Sequence, residues 1–330
     1  MNTRILTTLA AGALLAATAA CGAQSLDDGG ASGPSAGASA TVSATVSDTV
    51  PAVALDQAPT EEKAADVINA ITPDKDLAAK APANLKSGGL KVVSSMGYPP
   101  MEVFASDGKT AIGFDPALTR AIARKLGVNV TITDEEFNSQ IPGVLTGRYD
   151  FVISSMTDNP ERQGQVTFVD YVQAGAGLLV KKGNPAGIAG PENLCGKTVS
   201  VVDNGSSMEL AEKYDADCKK DGKAALDILK FPGDQEALLQ VSGGRAQATI
   251  TDYVVAASKA ADPKLAVEAI ALEGTEAPWG IGMKPDNKEL IESVKGALDS
   301  LIQSGEYGKL LKAWNLDKLA VQSAVINGGK

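Results

Sequence analysis

The sequence contains no histidine among its 330 residues. Histidine is the side chain whose unperturbed pKa lies closest to neutral pH, and it is the commonest metal ligand in proteins. Its absence excludes catalytic triads that need histidine, histidine general bases and histidine-ligated metal sites. We therefore expect a protein with neither a metal site nor a cofactor.

Positive charge is in deficit. Lysine and arginine number 30 against 40 aspartates and glutamates, which gives a formal net charge of −10 at pH 7. Proteins that bind nucleic acid usually present a basic surface to the phosphates. The acidic balance therefore argues against a nucleic-acid partner.

The apolar run near the N-terminus, residues 5–17, is uncharged but too short to cross a bilayer as a helix. It ends in small residues, a pattern typical of a signal peptide, which we place over residues 1–21. Cys21 directly follows two alanines and so resembles the lipobox of bacterial lipoproteins, in which the cysteine is lipidated. We expect export, with a lipid anchor holding the protein to the extracytoplasmic face of the cell membrane. Ordinary secretion is the alternative, because Thr18 stands where a lipobox usually has leucine.

Cysteine is scarce, since only Cys195 and Cys218 remain besides Cys21. In an exported protein an even pair of cysteines predicts a disulfide, here one that closes a loop within one domain. A metal site would need more ligands than this pair supplies.

Aromatic residues are missing from the segment that follows the signal peptide. Residues 22–50 are almost entirely small or polar and cannot bury a core, so we predict a flexible tether over residues 22–60. Apolar residues at helical spacing then predict a short helical extension over residues 61–88.

Strand and helix patterns alternate through the rest of the chain. Residues 90–94 predict a strand, and Asp115-Pro116 predicts the cap of a helix that ends at Gly127. The second half repeats this scheme, with Gly147-Arg148 and Gly244-Arg245 in equivalent places. A series of this kind predicts an α/β fold in which each half is a mainly parallel sheet flanked by helices.

The residues most informative about function lie between Ser154 and Arg162. Small hydroxyl residues end a predicted strand, and Asn159-Pro160 predicts a helix start with Asn159 as the N-cap. Backbone N–H groups at that start, the hydroxyls of Ser155 and Thr157, and the guanidinium of Arg162 all suit a carboxylate. The alternative is a surface arginine beside a capped helix.

The second half offers the opposite charge at the equivalent place. Thr251-Asp252 stands at the same offset as Ser154-Ser155, and open parallel sheets bind ligands at the carboxyl ends of their strands. If the two halves face each other, Arg162 and Asp252 fit the carboxylate and the ammonium of an α-amino acid. A tight turn before Ser206-Ser207 predicts another anion-binding helix start for the same carboxylate.

From about Leu85 onward the chain resembles the extracytoplasmic solute-binding proteins of ABC importers, specifically family 3, which binds polar amino acids. The motifs that carry the resemblance are Tyr98-Pro99-Pro100, Gly113-Phe114-Asp115, Gly147-Arg148-Tyr149-Asp150, Ser154 to Arg162, Gly205-Ser206-Ser207, Gly244-Arg245, Thr251-Asp252 and Trp279-Gly280-Ile281-Gly282. The resemblance implies a type II periplasmic-binding-protein fold, in which two hinge strands join two lobes. It divides the chain into lobe 1 over residues 89–176, lobe 2 over 177–273, and a return to lobe 1 with C-terminal helices over 274–330.

The resemblance also implies which residues hold the ligand's carboxylate. Thr157 and Arg162 would grip it, helped by the backbone at Ser206 and Ser207. Closure would be a hinge motion about the crossovers near residues 175–180 and 271–279.

The other end of the ligand would be held by a different set. Ser155 and Asp252 would take the α-amino group, while Tyr98 and Phe137 would sandwich the side chain. Ordinary core packing is the alternative for these two aromatic residues.

The chain departs from the family pattern at positions that affect specificity. Ser95 stands where many relatives carry an aspartate that binds a cationic side chain, and Gln247 replaces an acidic residue that would match Asp150. Asp158 and Asp203 lie near the predicted pocket and could restore a negative wall, so Asp158 joins the candidate ligand-binding residues. The identity of the bound amino acid stays open.

The implied partners are the amino acid and an ABC permease in the membrane, with the protein itself a monomer. Two other functions stay open. One is an enzyme similar to the periplasmic cyclohexadienyl dehydratases, which would need a proton donor over the substrate's ring. The other is a ligand-sensing module for a separate membrane receptor.

Overall fold

The structure, a computed structural model, describes residues 54–330. The predicted signal peptide, the lipidation of Cys21 and most of the predicted tether lie outside these residues. Within them, no helix combines the length and the apolar character that a membrane span requires.

The described chain alternates strands and helices. The strands are β1 (Leu90–Ser94), β2 (Val103–Phe104), β3 (Ala111–Ile112), β4 (Val130–Asp134), β5 (Phe151–Val152), β6 (Thr167–Ala174), β7 (Ala176–Lys181), β8 (Thr198–Val202), β9 (Asp227–Phe231), β10 (Ala248–Asp252), β11 (Val267–Ala271), β12 (Ala277–Met283) and β13 (Ala320–Ile326). The helices are α1 (Ala65–Ala70), α2 (Lys75–Lys80), α3 (Ala83–Gly88), α4 (Phe114–Leu126), α5 (Phe137–Leu145), α6 (Pro160–Gln163), α7 (Ser206–Lys220), α8 (Asp234–Ser242), α9 (Tyr253–Ala260), α10 (Lys288–Gln303) and α11 (Glu306–Ala313).

Two sheets organise these elements. One has six strands in the order β13-β6-β12-β5-β1-β4, and the other has five in the order β11-β7-β10-β8-β9. We call the parts of the chain around them lobe 1 and lobe 2, respectively. The chain crosses between the sheets twice, from β6 to β7 at Gly175 and from β11 to β12 through residues 272–276. The predicted α/β fold with two lobes is confirmed. The sheets are mixed, however, and not mainly parallel as predicted, because the strands next to the crossovers pair antiparallel with their neighbours.

Strand β1 and helix α4 of lobe 1 form because their apolar residues lie where a buried strand and a helix packed on a core need them. Leu90, Val92 and Val93 of β1 are fully buried between parallel neighbours β4 and β5. Leu118 and Ile122 of α4 lie one turn apart on its buried face. The helix ends at a left-handed glycine, Gly127, as predicted.

The start of α4 differs from the prediction. Its N-cap is Gly113, so Asp115 is not the cap but the second helical residue. Gly113 has φ 126°, and a Cβ there would overlap the carbonyl oxygen of Met101. Asp115 is fully buried and turned toward the loop that follows β5. An aspartate near a helix start is a local signal for capping, and here a tertiary contact overrides it.

The two halves do echo each other. Gly147 and Gly244 have φ 77° and 74°, each between a helix and the following strand. Asp150 accepts a hydrogen bond from the amide of Lys91 at 2.7 Å, and Gln247 accepts one from the amide of Thr198 at 2.8 Å. Gln247 therefore has the same structural role as Asp150. It precedes β10, whose opposite end lines the cleft, so Gln247 is not among the residues around the ligand.

The N-terminal extension packs on lobe 1 as three short helices, α1 to α3, where the sequence predicted one. Ile68 and Ile71 join the lobe 1 core. Glu62 is buried and accepts a hydrogen bond from the indole of Trp314 at 2.9 Å. These contacts tie the beginning of the described chain to the C-terminal helices.

The predicted disulfide between Cys195 and Cys218 is present, with Cα atoms 5.6 Å apart. It joins the segment before β8 to α7 within lobe 2. Neither cysteine lines the cleft described below.

We predict that removing this bridge destabilises lobe 2 without weakening ligand binding. A loop closed over 23 residues commonly contributes about 2–4 kcal/mol. A double Cys195→Ser, Cys218→Ser variant should therefore melt roughly 5–15 °C lower. Calorimetry on the variant and the oxidised parent measures both effects. A loss of binding free energy larger than the loss of free energy of unfolding would contradict the prediction.

Candidate functional site

A cleft lies between the lobes and encloses about 660 Å³ including its opening to solvent. It is bounded by the segments after β1 and β5 of lobe 1, and by the segments after β8 and β9 and the end of β10 in lobe 2. The lining residues are Ser95, Met96, Gly97, Tyr98, Glu102, Phe137, Ser154, Ser155, Thr157, Arg162, Ala176, Val202, Gly205, Ser206, Ser207, Pro232, Gly233, Asp234, Thr251 and Asp252. The cleft therefore combines apolar walls with a small number of charged and hydroxyl groups, as small-molecule sites usually do.

Arg162 projects from lobe 1 into the cleft and bonds to the backbone of both lobes. Asn159 caps α6 by accepting the amide of Arg162 at 2.9 Å, as the sequence predicted. The guanidinium donates from Nη1 to the Thr157 carbonyl at 2.9 Å and from Nη2 to the Asn204 carbonyl at 2.8 Å. It also lies 5.4 Å from the ring centroid of Phe137. A guanidinium has five N–H donors, so these two bonds leave others to reach a ligand.

The Arg162 side chain is only 6% exposed. Burial lowers the pKa of this guanidinium from its ordinary value, while the charges of Glu209, Asp252 and Glu161 act in the opposite direction. A buried cation of this kind favours an anionic ligand because the ligand restores the stabilisation that water gave.

The lobe 2 side adds hydroxyl and amide groups beside Arg162. Ser206 and Ser207 are the first two residues of α7, a 15-residue helix whose N-terminus carries partial positive charge. The Thr157 hydroxyl lies 3.1 Å from the Ser206 hydroxyl, so the two lobes touch here. These groups can supply donors to one anion from both lobes.

Asp252 ends β10 and faces the cleft from lobe 2. Its Oδ2 accepts the hydroxyl of Tyr98, from lobe 1, at 2.6 Å. The low hydration inside the cleft raises the pKa of Asp252 to about 7; the hydrogen bond from Tyr98 and the charge of Arg162 oppose this rise, and Asp234 adds to it. Asp252 is therefore ready to ionise when a cation arrives.

Sequence reasoning missed a buried ion pair beside Asp252. Asp234, the first residue of α8, accepts the Thr251 hydroxyl at 2.8 Å and forms an ion pair with Lys259. Both side chains of the pair are at most 6% exposed. Lys259 balances the charge of Asp234. Of the two neighbouring carboxyls, Asp252 is therefore the one available to a ligand. No sequence signal links two residues 25 positions apart on different helices.

Sequence reasoning also missed Glu102, which lines the cleft and is 1% exposed. Its two oxygens each accept a hydroxyl at 3.2 Å, one from Ser154 and one from Ser155. Asp115 lies beside it and accepts the Ser155 amide at 2.8 Å and the Tyr171 hydroxyl at 3.0 Å.

The two acids form a buried pair whose pKa values are both raised. Burial raises the pKa of Glu102 well above its ordinary range, with the neighbouring Asp115 as the next cause. Burial raises the pKa of Asp115 to about 6. The pair holds Ser155 in a left-handed conformation, φ 47°, and uses its hydroxyl hydrogen. The lone pairs of that hydroxyl oxygen then remain to accept a bond from a ligand.

The structure brings most of the predicted site residues to this one cleft. Those found there are Tyr98, Phe137, Ser155, Thr157, Arg162, Ser206, Ser207 and Asp252.

Asp158 is the exception, because it does not line the cleft where the sequence predicted it. Its oxygens accept Gln163 Nε2 at 2.8 Å and the Gly329 amide at 2.9 Å on the outer side of the loop. Consecutive side chains of an extended segment point to opposite sides, so Asp158 faces away when Thr157 faces the cleft. Asp203 does not line the cleft either and lies 3.4 Å from Asn138 at the surface.

The family described as "Bacterial extracellular solute-binding proteins, family 3" matches residues 90–317. The arginine-binding protein ArgT of Corynebacterium glutamicum is 29% identical over 265 residues, which cover 78% of this chain and 85% of that protein. The ABC transporter arginine-binding protein 1 of Escherichia coli is 30% identical over 225 residues, covering 66% and 86%.

The chain is also similar to solved structures of amino-acid-binding proteins. An ancestral arginine-binding protein, solved with arginine and with glutamine, is 33% identical with a TM-score of 0.63 in both forms. The match covers 68% and 69% of this chain and 97% of that one. The ancestral amino-acid-binding protein AncCDT-1, a precursor of cyclohexadienyl dehydratase, is also 33% identical, with a TM-score of 0.61 over 68% of this chain and 94% of that one.

We predict that the unliganded protein loses stability as pH rises through the neutral range. Asp115, Asp170 and Asp252 have pKa values raised from 3.8 to about 6, 7 and 7, and that of Glu102 is also raised. The folded state therefore binds more protons than the unfolded state, and the contribution of the three aspartates is complete below about pH 4 and lost as the pH rises through 6 to 7. Each such proton contributes ~1.4 kcal/mol per pH unit within that window. Urea unfolding at pH 5, 6, 7 and 8 measures the trend, and Asp252→Asn should reduce its slope. A free energy of unfolding that rises with pH would refute this assignment.

Proposed function

Because this chain belongs to the bacterial extracellular solute-binding proteins of family 3, we propose that its two lobes close on a free α-amino acid and deliver it to an ABC importer. The observation that carries this proposal is the approach of Arg162 and Asp252 to one cleft from opposite lobes. A zwitterion offers each of them an opposite charge. Neither lobe alone supplies both partners, so binding is linked to closure.

The α-carboxylate would lie at the Arg162 end of the cleft. The N–H groups of Arg162 that remain beside its two carbonyl bonds would form a planar fork, which matches the geometry of a carboxylate. The hydroxyl of Thr157 and the first turn of α7 at Ser206 and Ser207 would add donors. This arrangement supports the carboxylate role that the resemblance implied for these residues.

The α-ammonium would lie at the Asp252 end. It would replace the Tyr98 hydroxyl on the Asp252 carboxylate and donate to the Ser155 oxygen, which the Glu102 contact leaves as an acceptor. The ligand's side chain would extend between Tyr98 and Phe137.

We propose capture without turnover. An enzyme acting on a bound ring would need a free proton donor over it. The oxygens of the buried acid Glu102 already accept the hydroxyls of Ser154 and Ser155, and Asp158 faces away from the cleft. An assay for loss of prephenate or arogenate tests this part of the proposal directly.

We further propose that the protein is a monomer held at the extracytoplasmic face by a lipid on Cys21. The sequence patterns of residues 1–21 and 22–60 support this. The lobes would reorient about the two crossovers, at Gly175 and residues 272–276, as the cleft opens and closes.

We predict that the protein binds at least one of the twenty amino acids, tested by titration calorimetry at pH 7, and that Arg162→Ala abolishes most of that affinity. Removing one partner of a buried charge pair commonly costs about 2–5 kcal/mol, which is roughly 30-fold to several thousand-fold in Kd. Arg162→Lys should recover only part of the loss, because an ammonium cannot offer two parallel donors. Arg148→Ala is the matched control, since Arg148 is exposed and pairs with Glu135 outside the cleft. If none of the twenty amino acids binds, the proposed function is wrong.

We predict that Asp252→Asn weakens an amino acid strongly and its deaminated analogue much less, because the analogue has no ammonium to leave unpaired. L-Arginine with 5-guanidinopentanoate, or L-glutamine with 4-carbamoylbutanoate, forms the ligand pair for a two-by-two calorimetric comparison. The parent should also release up to ~0.5 proton on binding the amino acid at pH 7, since the ammonium lowers the pKa of Asp252 from about 7. The binding enthalpy in phosphate and in Tris buffer measures that release. Equal losses for both ligands would mean that Asp252 shapes lobe 2 and does not contact the amino group.

A further inference from the structure

The C-terminal residues Asn327–Gly329 lie against the back of the loop that carries Arg162. They follow β13, which pairs antiparallel with β6. Asn327 and Phe168 exchange two bonds, with the Phe168 amide donating to Asn327 Oδ1 at 2.8 Å and the Asn327 amide donating to the Phe168 carbonyl at 3.2 Å. These residues lie beyond position 317, where the family match ends. We call Asn327–Gly329 the tail latch.

The two glycines of the latch bind two buried carboxyls. The Gly328 amide donates to Asp170 Oδ2 at 3.0 Å, and the Gly329 amide donates to Asp158 Oδ2 at 2.9 Å. Gln163 completes the contact by donating to the Gly329 carbonyl at 3.0 Å. Asp158 and Asp170 are only 1% and 4% exposed.

The approach is so close that only glycine fits. A Cβ on Gly328 would lie 2.5 Å from Asp170 Oδ2, and a Cβ on Gly329 would overlap the carbonyl oxygen of Asp158. Neither residue has a positive φ. The requirement for glycine is therefore one of space and not of backbone conformation.

Asp158 connects the latch to the ligand site. It follows Thr157, whose carbonyl accepts Arg162 Nη1, and its own amide donates to the Pro278 carbonyl at 2.9 Å on the strand that returns from lobe 2. The short helix α6 presents Arg162 to the cleft and Gln163 to the latch, and Gln163 also donates to Asp158 at 2.8 Å. One side of the loop therefore meets the ligand while the other side is held by the latch.

The carboxyls of Asp158 and Asp170 add an electrostatic contribution to this contact. Burial raises the pKa of Asp170 to about 7, and the neighbouring Asp158 adds to the rise. The glycine amides offset the repulsion between the two carboxyls by giving each a donor. Without these donors, two buried acids would face each other with fewer hydrogen bonds. The free energy of the protein would then fall if Asp158 moved away from Asp170.

We propose that the tail latch is a positioning element of the ligand site, which fixes Asp158 and thereby the Thr157–Gln163 loop in the geometry that presents Arg162 to the ligand's carboxylate. This inference rests on the proposed function for its effect on affinity. Its effect on the loop is independent of any ligand, so the two can fail separately.

The first test is amide hydrogen exchange on the unliganded full chain carrying Gly329→Ala. Exchange in residues 157–163 should accelerate by about tenfold or more, while β10 of lobe 2 stays unchanged, because local opening lowers protection only where contacts are lost. Gly308→Ala is the matched control, since Gly308 has open space around its Cβ position and lies outside both the loop and the cleft. Gln163→Ala removes a latch contact without adding bulk and covers the case in which Gly329→Ala does not fold. Unchanged exchange in residues 157–163, or equal acceleration in both lobes, overturns the proposal.

The second test is a double-mutant cycle between Gly329→Ala and Arg162→Ala. Whichever of L-arginine and L-glutamine binds the parent is compared with its decarboxylated analogue, agmatine or 4-aminobutanamide. Gly329→Ala should weaken the amino acid by about tenfold and the analogue by less than twofold, with no further loss in the Arg162→Ala background. Equal losses for both compounds, or fully additive losses in the cycle, overturn the positioning role. If no amino acid binds the parent, the proposed function fails and the exchange experiment still decides whether the latch holds the loop.

Discussion

The structure depends on the cost of keeping charged groups away from water in the cleft. A buried arginine or carboxylate is expensive unless hydrogen bonds or opposite charges compensate it. Arg162 is compensated by two backbone carbonyls, Asp234 by Lys259, and Glu102 by the hydroxyls of two serines. Asp252 has only the Tyr98 hydroxyl as a side-chain partner across the cleft, together with a raised pKa. In the proposed function, the ammonium of a zwitterionic ligand would supply the charge partner that Asp252 lacks, and its carboxylate would supply the one that Arg162 lacks.

Local signals in the sequence identified the elements around the proposed carboxylate site correctly. Asn159-Pro160 predicts a capped helix start from side-chain chemistry alone, and the structure contains that cap. The strand ends at Ser154-Ser155 and Thr251-Asp252 were recognisable because apolar runs stop there. Parallel strands place such ends at one edge of each sheet. That the two edges face each other was a condition of the prediction, and the structure meets it, since Arg162 and Asp252 line one cleft.

Other features could not be predicted because they depend on contacts distant in sequence. The Ser155 amide meets Asp115, 40 positions earlier, and this contact gave Asp115 a role that its place near a helix start concealed. Lys259 and Asp234 belong to different helices of lobe 2. Asp158 was misplaced because proximity in sequence to Thr157 does not fix the side of the segment it occupies. In each case the position of a single side chain needed the folded arrangement of two elements.

The double crossover determines the order in which the chain can complete its two halves. Every strand of the lobe 2 sheet lies between Ala176 and Ala271, so that sheet comes from one continuous segment. In lobe 1, β12 lies between β6 and β5, and neither of those two strands pairs with the other. During synthesis from the N-terminus, the lobe 1 sheet stays divided into two parts until residue 283 is available. The strands of the lobe 2 sheet can therefore pair before the rest of the chain is made, whereas lobe 1 must bring together strands separated by the whole of lobe 2, with the corresponding loop-closure entropy.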